Sequence, residues 1–533
     1  MTKSVPTARQ TVSNLAAIWG NRILAIVAML ITTPLIVHRF GMEATGIWLM
    51  ITQFVSHLSL LDAGLGNILV RFLAAQRATS NAAKGSEYLT TTFYLLVGIG
   101  ILLLVGSPFL AQMFMKSLHG SSEAVAGAHE TAWLAIACIA VSLPMRVGHG
   151  LLSSIHRMDK LNMMVSLSVV MRIVLIVCVF RWFDPGLIHL GGIVFGSTLL
   201  GTVLVFVSGL KQNNVFSLDP SGFSRSAVHD LFSLGGSALI VTFAALLLTQ
   251  STSMLTGYAI GPAFVPIVAY PLMIFTALTP FMAALQTMLT PVAAALAAMQ
   301  QKQEIFPIFL MAVRYQSAAA FFLLLIFSMF GHPLLVTWLS GPNMSADTLT
   351  IISRSVVILF AGFAFSSVAF IGRSVLTSVG RHWPSALIEM GTALVGLVAG
   401  YLLARFSALG VYGITFGVAL VLVIRGVLFY PYLIGRFFGI SPYKVINQGL
   451  GASFIVTVAT VSMVIVLQLW LTRFFYAEPQ ITLMYIKIFA LFICLLLMWR
   501  YLIEPKHKQM LKNSFVMYWS RGVRWLGRVN LLK

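Results

Sequence analysis

The sequence has little charge, and acidic residues are especially scarce. Of 533 residues, only 9% are Asp, Glu, Lys or Arg, whereas soluble domains carry about 25%. Its mean hydropathy is +0.94. No soluble fold buries so apolar a chain, so the surrounding solvent must be largely lipid. The 34 Lys and Arg residues outnumber the 14 acids. In a membrane protein part of this excess reflects topology, so we expect no nucleic-acid partner.

Cysteine and the common catalytic motifs are also sparse. Cys138, Cys178 and Cys494 all fall in apolar runs, which excludes a disulfide framework and metal-ligand spacing. The chain has no Walker A motif and no H-E-x-x-H or G-x-S-x-G sequence, so it lacks the signatures of an ATPase, a zinc protease and a serine hydrolase. We therefore predict that the protein is not an enzyme, binds no metal and needs no cofactor other than a coupling ion.

Long apolar runs fill most of the chain, and their length indicates helices. Runs of roughly 20 to 28 residues suit spanning helices, whereas barrel strands would give short alternating segments. We predict an all-α polytopic membrane protein with about fourteen transmembrane helices. The predicted spans are Val12 to His38, Ala44 to Ala75, Glu87 to Met113, His129 to Ser154, Lys160 to Trp182, Leu187 to Ser208, Ala227 to Thr256, Pro262 to Ala295, Ile305 to His332, Leu349 to Ser378, Pro384 to Arg405, Leu409 to Gly435, Val445 to Trp470 and Pro479 to Ile503.

The distribution of basic residues predicts the topology. With the N-terminus inside, most Lys and Arg residues between the spans lie in cytoplasmic segments, which predicts that both termini are cytoplasmic. Residues 504–533 form a basic tail in which Arg521, Arg524 and Arg528 have helical spacing. The tail is interpreted either as a topology anchor or as an interfacial helix on anionic lipid.

An internal repeat divides the chain. Residues 148–157 and 372–381 both have the pattern G-x-x-x-L-[ST]-S-[IV]-x-R. Gly41 and Gly261 form a weaker match at a slightly smaller offset. Chance is one explanation; duplication is favoured because both matches lie at equivalent span ends. Six spans per repeat give both copies the same orientation, as in parallel-repeat transporters.

The repeat predicts the domain organisation. We expect an N-terminal six-helix bundle at 1–210 and a C-terminal six-helix bundle at 211–436. Two additional helices follow at 437–503, before the basic tail at 504–533.

Charged residues within the spans are candidates for function, because each costs at least about 2.5 kcal/mol at bilayer depth. The candidates that we single out are seven arginines and two acids: Arg22, Asp62, Arg146, Arg172, Arg314, Arg354, Arg373, Glu389 and Arg425. Arg354 and Arg373 lie near span ends and are equally well explained as interfacial. Two acids cannot neutralise the other five arginines, so we predict a water-filled cavity for an anionic ligand. The guanidinium fork suits phosphate.

Three further positions complete the candidate site. His149 lies three residues after Arg146, on the same helix face, and we assign it to substrate binding with Arg22, Arg146, Arg172, Arg314 and Arg425. Asp62 and Glu389 are candidates for coupling to H⁺ or Na⁺, since a buried carboxylate can take up a proton or coordinate a hard cation. An equally good interpretation pairs Asp62 with an arginine such as Arg71 or Arg22.

Three segments resemble a known family. Residues 34–48 read PLIVHRFGMEATGIW, residues 61–66 read LDAGLG, and residues 330–339 read FGHPLLVTWL. In this order they resemble elements of the polysaccharide (O-antigen, Wzx-like) flippases of the multidrug/oligosaccharidyl-lipid/polysaccharide exporter superfamily. The resemblance does not fix the cavity residues, which rest on the charge argument alone.

The resemblance implies a function in the biosynthesis of lipopolysaccharide O-antigen or another polysaccharide. Such proteins move an undecaprenyl-pyrophosphate-linked oligosaccharide across the bacterial inner membrane by ion-coupled alternating access. The implied partners are the lipid-linked oligosaccharide, membrane lipids, and a polysaccharide polymerase with other assembly proteins. Two alternatives are a multidrug/cation antiporter of the same superfamily, which would need acids in its cavity, and an integral membrane glycosyltransferase, which would need an acidic loop site.

Overall fold

The computed structural model describes residues 8–62, 64–116, 118, 121, 125–282, 284–474 and 479–501, and no strand occurs in these ranges. The predicted basic tail lies outside the described residues. Thirteen described segments are long and apolar enough to cross a membrane. The first of them, Gln10–Asp62, has 53 residues and would be roughly 80 Å long if straight. It therefore makes two crossings of a hydrocarbon core about 30 Å thick, and the chain is a multi-pass membrane protein.

Gly41 separates these first two crossings. Its φ of 75° and ψ of 177° lie outside the helical region, within the segment Ala8–Leu58. We call the crossings α1 (residues 8–40) and α2 (residues 42–78). The described residues thus contain fourteen crossings, as predicted.

The helices that follow are α3 (Ala82–Lys116), α4 (Ala128–Met145 and Val147–Ser154), α5 (Met158–Trp182), α6 (Leu187–Gln212), α7 (Arg225–Leu246 and Thr252–Ala259), α8 (Val265–Met282 and Ala284–Ala298), α9 (Lys302–Leu339), α10 (Ala346–Phe365 and Ser367–Ser378), α11 (His382–Phe406), α12 (Val411–Phe438), α13 (Pro442–Ile446 and Ala452–Phe474) and α14 (Pro479–Tyr501).

Several of these helices are interrupted along their length. A 3₁₀ turn at Ser59–Asp62 breaks α2, and α4 restarts at Val147, shortly after Pro144. Three π turns, at Leu247–Ser251, Arg425–Phe429 and Asn447–Gly451, interrupt α7, α12 and α13. Such turns locally change the pattern of backbone hydrogen bonds and are frequent at functional sites.

The backbone repeats the duplication seen in the sequence. Positive φ values occur at His156 (56°) and Gly380 (79°), which occupy the same place in the two copies of the motif. They also occur at Ser80 (56°) and Gln300 (60°), which have the same offset as the weaker glycine match. The arginine that ends the motif precedes α5 in one copy and α11 in the other, with φ, ψ values of −98°, 51° and −95°, 54°. Turns so similar at these two nearly equal offsets confirm two parallel copies, followed by α13 and α14.

The described helices group into two compact units. Unit 1 contains the described parts of Met1–Pro280, Gly331–Leu359 and Arg381–Val421. Unit 2 contains the described parts of Phe281–Phe330, Phe360–Gly380 and Leu422–Lys533. Unit 1 has a core of aliphatic and aromatic side chains from α1 to α6, in which Phe54 and Phe114 stack at 5.0 Å. In unit 2, Phe327 and Phe360 stack at 4.7 Å. The division into bundles at 1–210 and 211–436 remains a prediction.

Glycines allow α11 and α12 to pack closely within unit 1. A Cβ atom on Gly413 would lie 2.4 Å from Ala404 N, and one on Gly417 would lie 2.5 Å from Gly396 O and 2.7 Å from the Gly400 Cα. Small residues four apart let helix backbones approach in membranes, where dispersion rather than water exclusion drives association.

Gly417→Ala tests this packing. We expect the new methyl group to separate the two helices and lower the stability by about 1–3 kcal/mol, the usual cost of overpacking. Gly391 in α11 is the matched control, because nothing lies within 4 Å of its Cβ position, and Gly391→Ala should be neutral or slightly stabilising. The measurement is reversible unfolding of the purified protein in detergent; equal stability of both variants would contradict the close approach.

Candidate functional site

Asp62 and Arg146 form an ion pair where two broken helices meet. After the 3₁₀ turn of α2, Gly64 adopts a left-handed conformation (φ 64°) and α2 resumes at Leu65. The Gly64 N–H donates to Asp62 Oδ1 at 2.8 Å, and Arg146 Nη1 donates to Asp62 Oδ2 at 2.6 Å and to the Ser59 carbonyl at 3.1 Å. The two side chains are only 17% and 27% exposed.

This pair corrects one expectation. Arg146 was predicted to be an uncompensated charge, but Asp62 neutralises it. The alternative in which Asp62 pairs with an arginine is therefore the right one, although the partner is Arg146 rather than Arg71 or Arg22. Arg71 is exposed. The backbone N–H of His149 donates to the Arg146 carbonyl at 3.0 Å, which places the half-buried His149 one turn from the pair. The assignment of Arg146 and His149 to substrate binding stays a prediction.

Arg172 of α5 lines a cavity without a carboxylate among its described lining residues. Its Nε donates to Ser197 Oγ at 3.0 Å and its Nη2 to Thr198 Oγ1 at 2.9 Å, both on α6. The cavity has a volume of about 210 Å³ and lies wholly within unit 1. Its other polar and aromatic lining residues are Thr32, Thr33, Thr45, Thr52, Trp48 and Tyr270. The charge of Arg172 is thus held by neutral hydroxyl groups.

Two hydroxyl groups in this cavity were not predicted from the sequence. Thr45 and Tyr270 are each only 1% exposed, and Thr45 Oγ1 and Tyr270 OH have no hydrogen-bond partner among the described residues. An unpaired buried hydroxyl is costly. No periodic pattern could have found them, because they lie on α2 and α8, far apart in the chain.

Arg22 of α1 is also held by a neutral acceptor. Its Nη1 donates to the Pro280 carbonyl of α8 at 3.1 Å, and its guanidinium carbon lies 5.2 Å from the centre of the Trp19 ring. The shared helix face of Trp19 and Arg22 thus produces a cation–π contact. The structure places Arg22 in unit 1, on a different helix from Arg146 and Arg172.

Arg314 and Arg425 belong to unit 2. Arg314 Nε donates to the Gln448 carbonyl at 2.8 Å, within the π turn of α13. Arg425 begins the π turn of α12 and is only 6% exposed. Glu389 of α11 is 3% exposed and lies in unit 1. Within unit 1, the structure brings the predicted residues Asp62 and Arg146 into direct contact.

Three further charged residues of the described helices are Arg354, Arg373 and Lys487. Arg354 is exposed, whereas the guanidinium of Arg373 lies 5.5 Å from the Phe370 ring centre. Lys487 Nζ donates to the Met329 carbonyl at 2.9 Å and lies 6.0 Å from the Phe330 ring centre. The described residues contain no group of three or more His, Cys, Asp or Glu side chains arranged to hold a metal ion.

A double-mutant cycle tests the Asp62–Arg146 pair. Asp62→Asn and Arg146→Gln should each destabilise the protein, because each leaves a charge without its partner inside the bundle. The double variant should recover part of the loss, with a coupling energy of about 1–3 kcal/mol. The exposed pair Arg39–Asp184 provides the control, and its coupling energy should stay below about 1 kcal/mol. Both cycles are measured by unfolding in detergent; similar couplings would contradict a partly buried pair.

The sequence is similar to that of one known membrane protein but matches no family model. No protein-family model matches the chain. A protein of Bacillus subtilis (strain 168) named "Uncharacterized membrane protein EpsK" is 20% identical over 428 residues, which are 79% of this chain and 82% of EpsK.

Two solved structures are similar along most of their length. The lipid II flippase MurJ in an inward closed conformation has a TM-score of 0.68 at 13% identity, covering 92% of this chain and 99% of MurJ. An inward-facing multidrug-resistance MATE transporter of the MOP superfamily has a TM-score of 0.66 at 15% identity, covering 84% of this chain and 97% of that structure. At such identities the likeness concerns the fold: this chain has the fold of the MOP-superfamily transporters and flippases.

Proposed function

We propose that this protein is a flippase for a diphosphate-linked lipid oligosaccharide in the bacterial inner membrane, with both termini in the cytoplasm. The observation that carries the proposal is the way in which the arginines of the spans are compensated. Arg172, Arg22 and Arg314 are held by neutral oxygen atoms. The resemblance to O-antigen flippases supplies the substrate class, an undecaprenyl-pyrophosphate-linked glycan, and implies a polymerase as partner.

The same charges argue against the main alternative. A transporter of organic cations needs acidic groups to stabilise its substrate, and the charges singled out within the spans are two acids and seven arginines. Asp62 is already neutralised by Arg146. The positive field that remains favours an anionic substrate. The likeness to a multidrug transporter concerns the shared fold, which does not determine the substrate.

Contacts between the two repeats suit alternating access. Within unit 1, Trp338 Nε1 of α9 donates to the Leu30 carbonyl of α1 at 2.9 Å. The Asn343 side chain, just beyond α9, donates to the His38 carbonyl at 2.9 Å. These bonds join α1 to the end of α9 near Gly41. In the proposed cycle, a change of access would break these bonds, and the difference in substrate affinity between the two conformations must offset that cost.

Transport of a labelled lipid tests the proposal. Purified protein in proteoliposomes should move fluorescent undecaprenyl-diphosphate-linked sugar between leaflets, measured by bleaching with an impermeant reductant. Arg314→Gln should slow movement about tenfold or more, the effect of losing one charge-assisted contact. Arg314→Lys should restore part of the rate, because the charge survives without the fork.

Arg354→Gln is the matched control, since the Arg354 side chain is exposed, and should leave the rate unchanged. Folded yield is checked by gel filtration for each variant. Export of an organic cation without lipid movement would establish the multidrug alternative instead. Transfer of sugar to an acceptor by the purified protein would establish a glycosyltransferase.

For the coupling ion we propose H⁺, acting through Asp62. Both carboxylate oxygens of Asp62 already accept hydrogen bonds from N–H groups. Protonation would remove the negative charge and weaken the hold on Arg146, whereas Na⁺ would have to displace these donors. Glu389, which is buried in α11, is the second candidate for the same role.

Asp62→Asn tests the coupling, because the amide cannot exchange a proton. In proteoliposomes, a proton gradient should drive accumulation of the lipid in one leaflet for the wild type, while Asp62→Asn should only equilibrate it. Glu43→Gln is the control, since Glu43 lies outside the membrane core and accepts from Ser121. Accumulation driven by a sodium gradient alone would refute proton coupling, and an undiminished proton response in Asp62→Asn would exclude Asp62.

A further inference from the structure

The cavity beside Arg172 has the properties of a built binding site. Arg172 uses Nε and Nη2 to bind Ser197 and Thr198. Thr45 Oγ1 and Tyr270 OH line the same cavity, are almost wholly buried, and have no hydrogen-bond partner in the described part of the chain. Native proteins pair nearly all buried polar atoms. Two of the unpaired buried atoms among the described residues belong to the lining of this one cavity, which also contains a guanidinium.

In the second repeat, direct helix packing fills the position equivalent to this cavity. At the offset that relates the two copies of the motif, Arg172 corresponds to Gly396 and Ser197 to Val421. A Cβ atom on Gly396 would lie only 2.3 Å from Val421 Cγ2, so these helices pack directly where α5 and α6 hold an arginine. The polar cavity is therefore not a consequence of the shared scaffold. It requires residues that are particular to the first repeat.

We propose that this cavity binds a single sugar ring carrying one negative charge, such as a hexuronic acid residue of the transported glycan. The proposal rests on the function proposed above. Its first support is charge: Arg172 is the one charged residue among the described residues that line the cavity. A diphosphate carries more charge and is better matched by several cations, whereas one guanidinium matches one carboxylate.

The size and the lining point to the same ligand. Sites for drug-sized ligands have volumes of about 300–1,000 Å³, so a cavity of about 210 Å³ suits one ring rather than an oligosaccharide. The hydroxyls of Thr32 and Thr52 donate to the backbone carbonyls of Ala28 and Leu49. Their lone pairs therefore remain available to accept from sugar hydroxyl groups.

The unpartnered hydroxyls allow a test in which stability and binding move differently. Thr45→Val and Tyr270→Phe remove one polar atom each with little change of shape. Without ligand, each variant should keep or raise its melting temperature, because an unsatisfied buried group has been removed. If these hydroxyls bind the sugar, each variant should also weaken ligand binding about three- to tenfold. A purely structural role would leave binding unchanged.

The measurement is the rise in melting temperature with ligand concentration, using full-length protein in phosphatidylcholine nanodiscs. The probes are glucuronate, glucose, inorganic diphosphate and tetraphenylphosphonium. We expect glucuronate to stabilise the wild type at lower concentration than glucose, and Arg172→Gln to abolish that preference. Thr415→Val is the matched control. Thr415 Oγ1 is also buried without a partner among the described residues, but it lies outside this cavity. The response of this variant to glucuronate should equal that of the wild type.

Each contrary result has a distinct meaning. If diphosphate stabilises the wild type and the Thr45 and Tyr270 variants weaken that effect, the cavity binds the carrier's diphosphate; the sugar assignment falls and the flippase function stands. If the same variants weaken an effect of tetraphenylphosphonium, both proposals fall. If no probe distinguishes Thr45→Val from Thr415→Val, the cavity is no binding site, and the transport assay still decides the function independently.

Discussion

A guanidinium group held within a bilayer needs oxygen acceptors, and this requirement connects the helix breaks of the structure with its charges. An unbroken helix has few carbonyl oxygens to offer, because nearly all of them bond within the helix. The breaks supply them. Ser59 in the 3₁₀ turn of α2 accepts from Arg146, and Gln448 in the π turn of α13 accepts from Arg314. For Arg146 and Arg314, irregular backbone and buried charge are therefore two aspects of one arrangement, whereas Arg172 uses the side-chain hydroxyls of an unbroken helix instead.

The sequence predicted the architecture well, because lipid imposes a simple pattern. The predicted fourth span, His129 to Ser154, differs from α4 by one residue at its start. The ninth span was predicted to end at His332, whereas α9 continues through Pro333 to Leu339. A local cluster of Gly, His and Pro indicated an end there, but the contacts of Trp338 with α1 support another two turns. The repeat was visible because a shared turn requires similar residues in both copies.

The candidate site was predicted less completely, for reasons of distance along the chain. Asp62 and Arg146 were both singled out, but they lie on helices far apart in the sequence, and a helical pattern cannot specify a partner across a break. Thr45 and Tyr270 carry no signal at all: a threonine and a tyrosine in apolar runs are usually packing residues. They became candidates because they are buried, unpartnered among the described residues and in the lining of the same cavity as Arg172, three properties that exist only after folding.

The two repeats show which features belong to the scaffold and which to the function. Turns and helix starts recur at constant offsets, because they are conditions for folding. The motif arginines Arg157 and Arg381 recur with the turns, but the arginines singled out within the spans do not. At the offset of the motif, Arg146 corresponds to Phe370 and Arg425 to Gly201. At the offset of the weaker glycine match, Arg314 corresponds to Tyr94. A Cβ atom on Gly201 would lie 2.6 Å from Ser168 Oγ. A charge required for folding would be expected in both copies. These arginines are instead placed differently in each repeat, so that a duplicated scaffold carries an asymmetrical positive field. The positive charge of the described helices therefore depends on individual positions in each repeat and not on the scaffold that the repeats share.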